Sequence, residues 1–150
     1  MPAIHLLGRV ALISNGHILL AHAIRAKNTF LPGGHVEYNE PAKNAIVREL
    51  REEFNGEVQI EGFIGVVEQS FEYHNQPYHE LNLVFSGRLL NCDYTQIPKS
   101  LESHLEFYWQ PIDKLKEVNL LPLPLLTIIS SYCRDRKGSL WTSTMENERE

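Results

Sequence analysis

The stretch LPGGHVEYNEPAKNAIVRELREEFNG, residues 31–56, decides the fold that we expect for this chain. Its glycine pair marks a loop, and Pro41 suits the first turn of a helix. The helical pattern continues to about Phe54. It is followed by Asn55 and Gly56, which both accept the left-handed backbone that ends helices. The stretch therefore predicts a loop, a helix and a second loop.

The expected helix has two different faces. Apolar residues recur at i, i+3 and i+7 and predict the side that packs on the core: Val47, Leu50 and Phe54, with Ile46 beside them. Three carboxylates form a second stripe, roughly 120° around the helix axis: Glu49, Glu52 and Glu53. Asn39 or Glu40 is the expected N-cap.

The acidic stripe has two interpretations. A run such as RELREE is usually a solvated helix face with ion pairs between side chains four residues apart. Carboxylates at i, i+3 and i+4 nevertheless repel one another by roughly 0.2–0.5 kcal/mol per pair. The helix also follows a Gly-Gly loop, which can bring backbone carbonyls close to a ligand. Clustered carboxylates with a carbonyl form a hard oxygen site that suits Mg²⁺ or Mn²⁺, so we expect a divalent cation there.

Composition narrows the class of protein. The chain has 150 residues, of which 43% are hydrophobic and 22% charged, and this is typical of one globular domain. A net charge of −5 argues against a protein that binds duplex nucleic acid. No signal-peptide pattern opens the sequence, and the longest apolar run, LLPLPLLTII, is about half a membrane span. The isolated Cys92 and Cys133 indicate a reducing compartment. We therefore expect a cytoplasmic protein without a membrane segment.

Turn signals predict the other elements. Asn15-Gly16 separates the apolar runs Val10–Ile13 and Ile18–Ala21, which predicts a hairpin. Val58–Val67 is expected to form one strand, straight or bulged at its glycines. A second hairpin is expected around the polar turn His74–Pro77. Two further elements are expected: a short strand over Phe107–Gln110 and a last helix from Leu125 to about Arg134.

Alternation in the second hairpin predicts how the sheet is covered. Apolar residues at 81, 83 and 85 alternate with Glu80 and Asn82, which favours one buried face and one wetter face. Strands around a central helix, with a terminal helix, give a mixed α+β fold. We expect one domain over residues 1–137 and a flexible C-terminal tail over residues 138–150.

Gly34, Glu40 and the run Arg48–Glu53 have the spacing of a known signature. Five and seven residues separate them, and the run reads R-E-L-R-E-E. This pattern resembles the Nudix box, G-x5-E-x7-R-E-U-x-E-E-x-G-U, where U is apolar. The chain departs from the box at its end, where Asn55 replaces glycine and Gly56 replaces the apolar residue. Since asparagine tolerates the left-handed conformation, the turn should persist, while the path of the following loop stays open.

The resemblance implies an α/β/α sandwich around a mixed β-sheet and a hydrolase that acts on a nucleoside diphosphate linked to another group. It implies that Glu49, Glu52 and Glu53 bind Mg²⁺, with Mn²⁺ as a substitute, and that the Gly33 carbonyl is a further ligand. Arg48 should orient Glu49 by charge-assisted hydrogen bonds. Glu49, Glu53 and Arg48 are therefore the expected catalytic set.

Two supporting roles stay open in the sequence. Glu40 either braces the loop or reaches the metal through water. A further carboxylate is expected from a later loop, and Glu102 and Glu106 are equal candidates. Glu49 or that later glutamate would take the proton of the attacking water.

Substrate contacts are less specified. Arg25, Gly34 and His35 are the expected substrate-binding residues, although an ordinary surface role fits Arg25 equally well. The remaining candidates are residues that could face the cleft, stack on a base or hydrogen-bond to one: His22, Phe71, Tyr73, Tyr78 and the pair His79-Glu80. None of them identifies the leaving group.

The expected function is a Mg²⁺-dependent pyrophosphohydrolase for a nucleoside triphosphate, ADP-ribose or a nucleotide sugar. The alternative is a catalytically inactive Nudix-like module that binds or senses nucleotides. A third hypothesis, a protein that interacts through a plain helical face, conflicts with the glycine loop and the box spacing. A small nucleotide is the expected partner, a homodimer is a second candidate, and a long nucleic acid is disfavoured by the acidic composition.

Overall fold

The computed structural model describes residues 2–135 and 139–145. The sequence forms its elements in this order: β1 (Ile4–Ser14), β2 (His17–Ala23), β3 (Gly33–His35), α1 (Ala42–Phe54), β4 (Val58–Tyr73), β5 (Gln76–Leu89), β6 (Leu105–Pro111), a 3₁₀ helix (Ile112–Val118), α2 (Leu125–Asp135) and β7 (Leu140–Ser143). The expected hairpins, central helix and terminal helix are confirmed.

The strands form one mixed sheet in the order β6-β2-β1-β5-β4-β7, and β3 pairs with β1. β1 runs parallel to β5 and β4 runs parallel to β7, while the other pairs are antiparallel. β3 places the glycine pair opposite β1, with Gly33 facing Arg9 and Gly34 facing Gly8 in the ladder. This pairing brings the glycine loop, which precedes α1, to the centre of the sheet.

Two helices cover opposite faces of the sheet. α1 packs Ile46, Leu50 and Phe54 into a cluster with Val10 and Leu12 of β1. A second cluster joins residues of α2 with residues of β1, β4 and β5: Leu125, Ile128, Ile129, Ala11, Val67 and Val84. Because β1 supplies alternate residues to each cluster, the sheet is the middle layer of an α/β/α sandwich, and the predicted α+β class is confirmed.

Burial on both faces corrects the prediction of one wet face. Asn82 is only 1% exposed and Val84 is fully buried. The Asn82 side chain donates from Nδ2 to the Val67 carbonyl at 3.4 Å. Alternation in β5 therefore marks the two core clusters, and α2 and its preceding loop cover the face that was expected to be wet.

The start of α1 also differs from the expectation. Pro41 is the N-cap residue, with no side-chain hydrogen bond to the first turn, so neither Asn39 nor Glu40 caps the helix. Instead, Glu40 accepts hydrogen bonds from the Arg48 side chain and from the Glu37 N–H. Charge-assisted bonds to a guanidinium are stronger than a neutral cap bond, which accounts for the pairing of Glu40 with Arg48.

The end of α1 confirms the left-handed cap. Asn55 has φ 57° and ψ 32°, and its N–H donates to the Arg51 carbonyl at 3.0 Å. The Gly56 N–H donates to the Leu50 carbonyl at 3.0 Å. Asn91 then fixes the next loop, since its side chain binds the Asn55 carbonyl and the Glu57 N–H.

This conformation makes substitutions at Asn55 informative. Glycine fits the same backbone, so Asn55→Gly should leave the melting temperature unchanged. Asn55→Val should cost about 1–2 kcal/mol, because a β-branched side chain fits poorly at positive φ. Thermal melts of the three forms test this. A valine variant as stable as the wild type would contradict it.

β4 and β5 confirm the bulged strand and the second hairpin. The β4–β5 register shifts between Ile60 and Gly62 and again between Phe63 and Gly65. The turn is shorter than expected and consists of His74 and Asn75, both at positive φ. These bulges bend β4, the strand that carries one wall of the cavity described below.

The C-terminal region differs from the expected flexible tail. Leu140–Ser143 forms β7, which pairs in parallel with Gly65–Glu68 of β4. The Thr142 hydroxyl also donates to the Val66 carbonyl at 2.6 Å. A sheet edge supplies backbone partners that turn signals do not reveal. The prediction of a flexible tail is therefore wrong for Leu140–Ser143. The rest of the expected tail, residues 138 and 146–150, lies outside the described residues. Within the described chain, no helix is long and apolar enough to cross a membrane.

Candidate active site

Arg48 is the centre of a network of carboxylates at the start of α1. Its guanidinium donates to Glu40 at 2.8 and 3.0 Å, to Glu49 at 3.0 Å and to Glu52 at 3.4 Å. It also donates to the His35 carbonyl at 3.0 Å. One planar cation thus joins the helix to the glycine loop, a task for which the rigid fork of arginine is suited.

The network has a clear electrostatic signature. Hydrogen bonds from Arg48, with a further bond from the Glu37 N–H, lower the pKa of Glu40 to about 2. The same contacts raise the pKa of Arg48 above its ordinary value, first through Glu40 and then through Glu49. Glu40 therefore braces the loop in this structure, which is one of the two roles left open by the sequence.

Gly34 provides the space for Glu49. A Cβ built on Gly34 would lie 2.6 Å from the Glu49 Cδ and 2.8 Å from its Oε1, so the end of the Glu49 side chain would have to move away from a larger residue. Gly33 has φ 138°, and a Cβ there would overlap the Gly8 carbonyl oxygen. Gly33 is therefore required by the backbone geometry, and the missing side chain at Gly34 lets the Glu49 carboxylate lie against the loop.

Glu53 is the buried member of the acidic stripe. The residue is 8% exposed, and its Oε2 has no hydrogen-bond partner among the described residues. Burial, together with the charges of Glu49, Glu102 and Glu52 and against the opposing charge of Arg9, raises the pKa of Glu53 to about 8. An unpartnered buried carboxylate is costly, so this atom is the one most in need of a cation.

The carboxylates of the acidic stripe are ligands of the kind that a hard cation prefers, although their oxygens do not meet at one point in this structure. Among the described residues, no three His, Cys, Asp or Glu side chains meet closely enough to hold an ion. Arg48 holds Glu49 and Glu52 on its own side, while Glu53 points into the protein. The Glu52 side chain is 55% exposed, and its contact with Arg48, at 3.4 Å, is the longest that Arg48 makes to these carboxylates. Oxygen donors of this kind suit Mg²⁺.

The two later glutamates lie in different surroundings. The Leu101 N–H donates to the Glu53 carbonyl at 2.7 Å, which holds the adjacent Glu102 near the end of α1. Glu106 instead accepts a hydrogen bond from the His22 Nδ1 at 2.7 Å, and this contact raises the pKa of His22. The structure therefore brings Glu102 to the acidic stripe and pairs Glu106 with His22.

Arg9 is a site residue that the sequence analysis missed. Its guanidinium donates to the Leu31 carbonyl at 3.1 Å and lies over the Phe30 ring at 5.4 Å. Burial lowers its pKa, against the opposing charges of Glu80, Glu53 and Glu49. A lone arginine within the apolar strand LLGRVALI was the available signal, since a charge at a buried strand position needs partners.

A cavity of about 590 Å³ opens beside Arg9 on the α2 side of the sheet. Arg25 is exposed and does not line it, and the same holds for His35. The His35 Nε2 lies 3.2 Å from the His5 Nδ1, and the His35 carbonyl contacts Arg48. The structure thus brings Gly34 and His35 to the acidic stripe and leaves Arg25 in the loop after β2.

The aromatic candidates form the outer wall of the same cavity. Phe71 and Tyr73 line it, while Tyr78 stacks behind Phe71 with ring centroids 5.2 Å apart. Glu80 also lines the cavity, and its neighbour His79 does not. The cavity is therefore lined by aromatic rings, by polar side chains and by Arg9, on which the charges of Glu53 and Glu49 act.

Comparison with known proteins identifies the domain type. The NUDIX domain model matches residues 5–127. No match was found among the curated proteins.

Several solved structures share the fold. The MutT protein from Methanosarcina mazei Go1 superposes with a TM-score of 0.70, at 22% identity over 91% of this chain and 98% of that chain. The MutT NUDIX hydrolase from Burkholderia pseudomallei gives 0.62, at 24% identity over 74% and 85%. An ADP-ribose pyrophosphatase from Streptococcus suis 89-1591 gives 0.61, at 18% identity over 93% and 98%.

Proposed function

This chain belongs to the Nudix hydrolase family, and from that premise we propose that it is a Mg²⁺-dependent pyrophosphohydrolase. The substrate is a nucleoside diphosphate linked to another group, and water attacks phosphorus. The expected substrates are a nucleoside triphosphate, ADP-ribose or a nucleotide sugar, and the similar structures include proteins named MutT and an ADP-ribose pyrophosphatase. A cytoplasmic location and a homodimer stay predictions.

One observation carries the proposal. Glu53 Oε2 is buried without a partner among the described residues, in an acidic stripe whose Glu49 carboxylate lies against Gly34. Elsewhere in the site, carboxylates are neutralised by Arg48, whose charge Glu53 does not share. A divalent cation would supply the missing charge, and hard oxygen donors select Mg²⁺ or Mn²⁺ over softer metals.

Glu49, Glu52 and Glu53 would hold the metal, with the Gly33 carbonyl as a further ligand and Glu102 as a neighbour. When bound there, Mg²⁺ supplies charge neutralisation for the pyrophosphate oxygens and a more acidic water.

The chain's own residues then perform the positioning and the proton transfer. Arg48 fixes Glu49 through the bond of 3.0 Å, and Glu40 fixes Arg48 in turn. Glu49 accepts the proton of the attacking water, while the P–O bond to the leaving group breaks. Arg9 lines the cavity and feels the charges of Glu53 and Glu49, so it is suited to hold a phosphate oxygen of the substrate.

A nucleotide panel tests the proposal. The protein is incubated with Mg²⁺ and with ATP, GTP, ADP-ribose and UDP-glucose in water enriched in ¹⁸O, and the products are identified by mass. We expect a nucleoside monophosphate and a second phosphorylated product, with one ¹⁸O in one of them. Nucleotide binding without any product from the panel would support the inactive binding module instead.

A further inference from the structure

The cavity lined by Arg9 has a composition suited to a nucleobase. Apolar side chains form much of its wall, among them Phe30, Leu121 and Leu125. A flat aromatic ligand can pack against such a wall, whereas a sugar would leave its hydroxyls unpaired there. Its volume of about 590 Å³ accommodates a base together with its ribose.

Arg9 fixes which end of a nucleotide would enter the cavity. Its guanidinium shares the cavity lining with Glu80, and the charges of Glu80, Glu53 and Glu49 all act on its pKa. A nucleotide whose phosphates lie near Glu49 and Glu53 would bring them close to Arg9 and place its base against the polar groups of the cavity lining. Those groups are Gln69, Glu80 and Asn82.

Glu80 is the distinctive group at that end. Its Oε2 accepts a hydrogen bond from the Gln69 Nε2 at 2.8 Å, which holds the carboxylate in place across β4 and β5. No other hydrogen bond to this carboxylate occurs among the described residues. An ionised carboxylate only accepts hydrogen bonds, so the group that it recognises must present N–H donors.

The mouth of the cavity offers a stacking surface. Phe71 and Tyr73 line the cavity, and they are 39% and 59% exposed. Tyr78 supports Phe71 from behind in a parallel stack with an interplanar angle of 8°. Exposed aromatic rings that are held rigid in this way are suited to stack on a base.

We propose that this cavity binds a guanine base, with the Glu80 carboxylate accepting hydrogen bonds from the N1–H and the 2-amino group. Guanine presents these two donors side by side, and a carboxylate can accept both at once. Adenine presents an acceptor at N1, which would face a negative charge, and a pyrimidine offers no such pair of adjacent donors. The inference rests on the proposed function for the placement of the phosphates, and it narrows the substrate class to guanine nucleotides.

The competing explanation is that Glu80 serves only as a counter-charge for Arg9. In that case its removal would change stability and would leave the preference for a base unchanged. The two explanations therefore differ in a ratio of affinities, which a general loss of structure does not imitate.

The test measures dissociation constants for GMP, IMP and AMP by calorimetry, with and without Mg²⁺. Monophosphates have no pyrophosphate to cleave, so binding is separated from turnover. IMP keeps the N1–H and lacks the 2-amino group. We expect GMP to bind about 10- to 100-fold more tightly than AMP, with IMP between them. The ratio should be the same with and without metal.

Glu80→Gln should abolish this ratio and raise the affinity for AMP, because a carboxamide can both donate to N1 and accept from the 6-amino group of adenine. Glu72→Gln is the matched control: Glu72 is an exposed carboxylate on β4, next to Phe71 in sequence and outside the cavity lining. It should keep the wild-type ratio. The wild-type series of three ligands needs no variant and stays decisive if Glu80→Gln is unstable.

Equal affinities for GMP and AMP in the wild type would overturn the proposal, and so would an unchanged ratio in Glu80→Gln. Guanine selectivity without hydrolysis of any nucleotide would support this inference and reject the proposed function. Hydrolysis of all four panel substrates at similar rates, with no base preference, would support the proposed function and reject this inference.

Discussion

Glu53→Gln and Glu49→Gln are each expected to lower kcat by at least about 100-fold, a loss of roughly 2.7 kcal/mol of transition-state stabilisation. Gln keeps the shape of Glu and removes its charge, so a metal ligand or proton acceptor is lost with little change in packing. The Glu53 site is buried, and the Glu49 carboxylate is seated against Gly34. Steady-state kinetics with Mg²⁺ on the best substrate of the panel measure the effect.

The control for these variants is Glu57→Gln. Glu57 is exposed, lies just after α1 and contributes its N–H rather than its carboxylate to the Asn91 contact. The same change of charge there should leave kcat within about twofold, as expected for a surface substitution. Wild-type turnover in either site variant would remove the role assigned to that carboxylate. A large loss of stability in Glu49→Gln and Glu53→Gln would instead favour a structural role for the acidic stripe.

The metal-free protein is expected to lose stability between about pH 4.5 and about pH 8 through Glu53. Burial raises the pKa of this carboxyl from 4.5 to about 8 in the folded state. Between these values the folded state keeps a proton that the unfolded state has released, so rising pH favours unfolding. At about 1.4 kcal/mol per pKa unit, the contribution lost is up to about 5 kcal/mol.

The difference between the wild type and Glu53→Gln isolates this effect, since Gln does not titrate. Chemical denaturation with chelator present should give similar stability for the two forms near pH 5 and a more stable variant near pH 8.5. Glu40 acts in another window: its lowered pKa stabilises the fold above pH 4.5, and that contribution falls away as the pH drops toward about 2. Parallel pH profiles for the wild type and Glu53→Gln would show that Glu53 is not held in its protonated form.

The sequence was sufficient for features that depend on local chemistry. The end of α1 follows from Asn55, whose left-handed backbone the structure confirms, whereas its N-cap is Pro41 and not the expected Asn39 or Glu40. Asn15-Gly16 specified the first hairpin because both residues adopt positive φ. The spacing from Gly34 to Glu53 specified the family, since it places a carboxylate stripe against a glycine loop.

Features that depend on tertiary contacts were not predictable in the same way. The helix pattern placed Glu53 on a stripe away from the core, whereas Glu53 is only 8% exposed and its carbonyl accepts a hydrogen bond from the Leu101 N–H. Val47 was expected in the core, but Ile46 takes the fully buried position and Val47 is only half-buried. Arg9 contacts Leu31 and lines the cavity only because separate strands and loops meet in the folded chain. Side-chain periodicity indicates whether a segment is a helix or a strand. The burial of each side chain depends on the elements that pack against that segment.

The choice between Glu102 and Glu106 shows the same limit. Both glutamates stand near β6 in sequence, and nothing local separates them. The β2–β6 pairing places His22 opposite Glu106, which occupies that carboxylate. Glu102 is therefore the neighbour that can assist the acidic stripe, a role that stays a prediction.

Turnover in excess EDTA is the measurement that tests the central claim most directly. We expect hydrolysis to vanish with the chelator and to return when Mg²⁺ is added beyond it, because carboxylates alone would repel the pyrophosphate. Ca²⁺ should restore little activity, since its longer and looser coordination misplaces the water. The account predicts complete dependence on the metal, and unchanged hydrolysis in excess EDTA would contradict it.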